Sequence, residues 1–185
     1  MNFSLKNVLL LISAQFLAVL VFSQNIQDSV VIVDTTDASM YRDMDLSREY
    51  QTFKNTNISI RPPKHFIEFS SDEVSGFVNT GTAASIVGFE NKEIPYLGFY
   101  ENYADSAFSS IEHASFLGSE ELKTQAGYEA KLYFYAFVVD EIDVVRIMFV
   151  TGDEKQMIFL EANYPAGFDM LLRPVIVQSL LSVEF

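Results

Sequence analysis

Two histidines are the first residues to weigh for chemistry. His65 sits in a proline-rich turn beside Lys64, whose charge opposes a metal cation at the same spot, and it reads as a surface residue. His113 follows Glu112 at the end of an amphipathic stretch, where a cationic imidazole suits a helix C-terminus. A zinc site needs three or four converging ligands, and neither histidine has them nearby in sequence. Calcium has a nearer candidate, because Asp43, Asp45 and Ser47 supply oxygens at the first, third and fifth positions of a calcium loop. Arg48 then stands where glycine is required, and Lys54 where a bidentate glutamate is required, so the loop fails. Asp140-Glu141-Ile142-Asp143 and Asp153-Glu154 read as solvated hairpin tips. No metal and no cofactor is expected.

Covalent catalysis finds no better footing. There is no cysteine and no Gly-x-Ser-x-Gly elbow. Gly76-Phe77-Val78-Asn79-Thr80-Gly81 resembles a phosphate loop but lacks its lysine and the helix that follows. Without a constellation the expectation is a non-enzyme. The alternative from another class is a secreted hydrolase, since two of 25 acids can meet in a fold and act as a carboxylate pair. A further alternative is a carrier of a small apolar ligand: Tyr133, Tyr135, Phe137, Phe149 and Phe159 can line a groove, and Arg146 can fix an anionic end. Tyr133, Tyr135 and Arg146 are therefore the candidate ligand-binding residues. The competing role for the same aromatics is to fill the layer between sheet and helices.

These residues need elements to position them. The chain has 185 residues, 12 Lys+Arg against 25 Asp+Glu, a formal charge of −13, 17 Phe and 9 Tyr. That much apolar and aromatic content excludes intrinsic disorder, and acids outnumbering bases two to one exclude nucleic-acid binding. Strands are expected at Ile58–Ile60, Phe66–Phe69, Thr82–Glu90, Ser115–Thr124, Tyr128–Val139, Val144–Thr151 and Gln156–Tyr164. The short turns Asp140-Glu141 and Gly152-Asp153-Glu154 make the last three antiparallel neighbours. Tyr128–Val139 is apolar on both faces, which predicts a sheet covered on both sides at its centre. From Pro95 to Ile111 the period changes to 3.6, with Leu97, Tyr100, Ala104, Ala107, Phe108 and Ile111 on one face of an amphipathic helix. A closing helix runs from Phe168 to Leu181, with Pro174 awkward in it. Val183-Glu184-Phe185 is expected to return along a sheet edge.

Residues 1–23 read as a cleavable signal peptide, with Lys6 the sole charge before an apolar run and Gln24 the first mature residue. The run is about 15 residues long, short of the roughly 20 that span a bilayer, so no membrane span is expected after cleavage. The absence of cysteine excludes a lipoprotein, and the location is expected to be periplasmic or extracellular. Residues 24–56 are rich in Asp and carry no Gly or Pro, and they are expected to form a loose acidic arm. Residues 57–185 then make one α+β domain.

The order of elements resembles the PsbP-like family, the extrinsic proteins of photosystem II together with bacterial homologues and a nuclear Ran-binding relative. The residues that carry the resemblance are Ile58-Ser59-Ile60-Arg61-Pro62-Pro63-Lys64-His65-Phe66, Gly127-Tyr128-Glu129-Ala130, Glu161-Ala162-Asn163-Tyr164-Pro165 and Ser179-Leu180-Leu181-Ser182-Val183-Glu184-Phe185. The resemblance covers Asn57 to Phe185. It implies an α/β/α sandwich, a central antiparallel sheet with helices on both faces, that binds or assembles with a protein partner or small ligand and has no catalytic mechanism of its own. Nothing in the chain points to a photosynthetic partner, and no His or acidic positions match the cation sites of plant members.

Overall fold

The computed structural model describes residues 44–71, 74–93, 95–96 and 114–185. Among them the chain is α+β. Two short strands, β1 (Gln51–Thr52) and β2 (Ser59–Ile60), pair with each other. A seven-stranded sheet follows from β3 (Ile67–Ser70), β4 (Ser75–Asn79), β5 (Ala84–Asn91), β6 (Ser115–Lys123), β7 (Glu129–Val139), β8 (Ile142–Gly152) and β9 (Met157–Pro165). Its order is β3-β4-β5-β9-β8-β7-β6, antiparallel throughout. A 3-10 turn (Ala166–Phe168) leads into helix α1 (Asp169–Leu181).

The expected hairpins form where the turn residues placed them. Asp140 and Glu141 take positive φ angles of 48° and 68°, and Val139 pairs with Ile142 across them. A two-residue turn of that hand matches the twist of the strands it joins. The β8–β9 turn is held by the Asp153 carboxylate, which accepts from the backbone N–H of Lys155 at 2.7 Å and of Gln156 at 3.0 Å.

Helix α1 buries Leu172, Val175, Ile176, Ser179 and Leu180 against one face of the sheet, at the 3-and-4 spacing of a single helical stripe. The facing layer comprises Ala130, Leu132 and Phe134 of β7, Val145, Ile147 and Phe149 of β8, and Ile158, Leu160, Ala162 and Tyr164 of β9. Burial of each large side chain of this kind is worth about 1.5–3 kcal/mol. Pro174 falls inside α1, on its solvent side one turn beyond Met170, which is 96% exposed. Proline itself donates no backbone bond to the preceding turn. The C-terminal end of α1 is tied down: the N–H of Gln125 donates to the Leu181 carbonyl at 2.8 Å, and Ser179 Oγ donates to the Arg61 carbonyl at 2.8 Å.

The domain begins before Asn57. Residues 44–56, expected to belong to a loose arm, are built into it. Phe53 is 1% exposed and meets Phe77 edge-to-face with ring centroids 5.0 Å apart. Gly88 leaves the room this ring needs, for a Cβ there would lie 2.9 Å from the Phe53 ring. Farther back, Leu46 bridges Pro63, and the Ser47 N–H donates to the Pro62 carbonyl at 2.8 Å. Strand β4 was also not expected. Its Gly76 is needed because a Cβ would run into the Ile86 carbonyl of β5, so the glycine that looked like part of a loop permits close strand approach. The C-terminal return forms as read, with Ser59 and Glu184 exchanging backbone bonds of 2.8 and 2.9 Å.

Of the two expected helices, α1 is described. The helix read over Pro95–Ile111 falls mostly outside the described residues, as do the signal segment and residues 24–43. Helical cover is therefore seen on one face of the sheet.

Truncating Phe53 tests the revised domain start. Phe53→Ala is expected to lower stability by about 3–5 kcal/mol, the range for removing a buried aromatic ring, measured by urea unfolding of the full chain. An unchanged midpoint would show that residues 44–56 hang loose.

Candidate functional site

Strand alternation puts the three expected ligand-binding residues on one surface, the sheet face turned away from α1. Tyr135 of β7 stands directly opposite Arg146 of β8, and Tyr133 stands opposite Met148. Arg146 is in turn opposite Asn163 of β9, and Met148 opposite Glu161. All these residues are buried.

Arg146, 2% exposed, is the centre of the group. Its Nε donates to Asn163 Oδ1 at 2.7 Å, and its Nη2 lies 3.2 Å from Glu161 Oε1. Asn163 Nδ2 donates to the same Glu161 oxygen at 2.9 Å, so the three side chains close a ring of bonds. The guanidinium also lies over the Phe137 ring, 4.8 Å from its centroid, where the ring's negative face favours a cation. Burial draws the Arg146 pKa below the usual arginine range, and the Glu161 carboxylate and Tyr135 oppose that pull. A ligand anion approaching Arg146 would have to compete with partners already in place.

A second ion pair extends the face toward β6. Lys131 Nζ lies 3.4 Å from Glu121 Oε1 and 5.5 Å from the centroid of the Tyr133 ring. Phe116 of β6 packs on Tyr135 with centroids 5.6 Å apart. The face is thus an aromatic layer with two embedded cations, each matched to a carboxylate.

Sequence reasoning found Tyr133, Tyr135 and Arg146 but missed Lys131, Glu161 and Asn163. The signal for Lys131 was the period of two along β7, which places it in line with Tyr133, Tyr135 and Phe137. Glu161 and Asn163 bear the same period on β9, yet their pairing with Arg146 depends on strand order. His65 is exposed with φ 65° and takes no part. Asp45 Oδ1 accepts from the Leu46 N–H at 2.8 Å, a local turn bond, while Asp43 and His113 lie outside the described residues. Among the described residues no group of three or more His, Asp or Glu side chains is placed to hold a metal ion.

The ion pair makes a stability prediction. Arg146→Met leaves Glu161 buried without its cation and is expected to cost about 3–5 kcal/mol, and adding Glu161→Met is expected to recover most of that loss. Urea midpoints of the single and double variants measure it. A single variant within about 0.5 kcal/mol of the parent would show that the ring of bonds contributes nothing.

Neither a protein-family model nor a curated protein matches the chain. Solved structures do. LpqN of Mycobacterium tuberculosis, described as involved in cell envelope biogenesis, superimposes with a TM-score of 0.56 at 13% identity, over 80% of this chain and 95% of that one. Cyanobacterial PsbP (CyanoP) from Synechocystis sp. PCC 6803 superimposes with a TM-score of 0.50 at 11% identity, over 74% of this chain and 91% of that one. At such identities the likeness is one of fold, and the fold of this chain is PsbP-like.

Proposed function

We infer that the protein is an exported, non-enzymatic binding or assembly module of PsbP-like architecture. The observation that carries this is the state of its buried acid. Among the described residues Glu161 is the one carboxylate buried in the fold, and its oxygen is engaged by both Arg146 and Asn163. A carboxylate-pair hydrolase needs two acids facing a substrate with one free to move a proton. Glu161 instead serves as a counter-ion. The fold shared with LpqN, named for cell envelope biogenesis, supports an envelope role, and the signal-like residues 1–23 support export. Among the described residues no helix is long and apolar enough to cross a membrane.

The same reading takes the sheet as covered on both faces. Tyr133, Tyr135, Met148 and Val150 are buried on the side away from α1, and the amphipathic pattern of Pro95–Ile111 supplies an apolar stripe suited to that layer. The row Tyr133, Tyr135 and Phe137 beside Arg146 favours the carrier reading as the second choice, with the aromatics as the wall of an apolar ligand site.

Native mass spectrometry of the protein isolated gently from its own envelope separates these readings. A chain beginning at Gln24 with a stoichiometric protein partner supports the module. Added mass from a small apolar ligand favours the carrier. A chain retaining Met1 in the cytoplasm, or a bare chain that hydrolyses ester, glycoside or peptide substrates, overturns the proposal.

A further inference from the structure

The chain contains no cysteine and six methionines, so the thioether is its only sulfur group. Thioether sulfur is soft and polarisable, and its susceptibility to oxidation follows its exposure. Met44, Met148, Met157 and Met170 lie among the described residues, in four different settings. Met148 of β8 is fully buried on the sheet face away from α1, standing opposite Tyr133 of β7 and Glu161 of β9. Met157, at the start of β9, is 7% exposed. Met44 is half-buried and packs against the core. Met170 alone among these four is open to water over nearly its whole surface.

Helix geometry puts it there. The buried stripe of α1 begins at Leu172, and Met170, two residues earlier, is about 200° around the axis from it. Residues 165–168 and 182–185, which join α1 at its two ends, are described and leave Met170 open. Arg173, three residues on, is turned to the Asp169 carboxylate at 2.9 Å and to the Phe134 ring, 5.2 Å from its centroid. A sulfoxide at Met170 would project into water and disturb no packed layer. At Met148 it would set a polar oxygen inside the aromatic face that holds Arg146 and Glu161, a layer closed to water.

We propose that Met170 is a site of reversible oxidation by peroxides, taking up oxygen while Met148 and Met157 stay reduced and the fold stays intact. A lone pair on Sδ attacks one peroxide oxygen, and an S–O bond forms as the O–O bond breaks. The departing oxygen takes up the proton released from the one transferred and leaves as water when the oxidant is hydrogen peroxide. The sulfur is oxidised by two electrons and the peroxide is reduced by two. The product is a methionine sulfoxide on the outer side of α1, which methionine sulfoxide reductases return to the thioether. With no thiol in the chain, no cysteine competes for the oxidant.

The test exposes the full chain to limiting hydrogen peroxide and follows each methionine by peptide mass mapping. Met170 is expected to gain oxygen at least about tenfold faster than Met148 and Met157, in the order their exposure sets. The urea midpoint of protein oxidised at Met170 is expected to match that of the parent, and a methionine sulfoxide reductase is expected to remove the added oxygen. In Met170→Leu, a change at an exposed site, Met148 and Met157 are expected to keep their slow rates, because the fold and not competition shields them. A Met170 that reacts no faster than Met148 or Met157 overturns the proposal, since another part of the chain would then cover this side of α1. A sulfoxide at Met170 that lowers the urea midpoint, or that resists the reductase, overturns it as well.

Discussion

The arrangement of the sheet turns on one register, that of β8 against β9. Arg146 lies opposite Asn163 and within 3.2 Å of Glu161, and the neighbouring positions Ile147 and Ala162 face α1. A slip of one residue exchanges the faces of a strand. Here it would drive the guanidinium into the apolar layer beneath α1 and strand Glu161 on the other side. Both outcomes leave a buried charge alone, which costs several kcal/mol. The polar ring thus excludes the wrong pairing more strongly than it stabilises the right one. With β8 and β9 locked, β7 is set by its two-residue turn, β6 by β7, and β5 by its seven-pair ladder along β9.

How much of this could be read from the residues depended on how local the cause was. The hairpins of β7, β8 and β9 were legible because alternation and turn chemistry lie within a few residues of each other. The C-terminal return was legible for the same reason, since Val183-Glu184-Phe185 alternates visibly. The start of the domain was not. Phe53 stands in a largely polar stretch near Tyr50, and its place in the core depends on Gly88, far along the chain, leaving room for its ring. Strand β4 was hidden in the same way, its glycines suggesting a loop until the Ile86 carbonyl explained Gly76. Pro174 looked like an obstacle because the solvent side of α1 is decided by packing, not by the helix alone.

The candidate site divides along the same line. Tyr133, Tyr135 and Arg146 fall on one face because strands alternate, and that much follows from counting residues. That Arg146 is bonded to Glu161 and Asn163 follows from β9 lying beside β8. An arginine that looks available for a ligand in a list of residues is, in the folded sheet, half of an internal ion pair. The acidity of the chain is consistent with this. Asp140, Glu141, Asp143, Asp153 and Glu154 sit at hairpin ends, outside the buried layer. Among the described residues these charges belong to the surface.

The pairing of Ser59 with Glu184 bears on the order of events as the chain is made. Ser182 Oγ accepts from the Arg61 N–H across 121 residues of sequence, so the strand near the start of the domain is completed by the segment near its end. A chain made N-terminus first presents β2 long before the segment that pairs with it exists. Closing so long a loop is slow as well as late. Strand β2 therefore gains its partner at Glu184 only once nearly the whole of the domain is available.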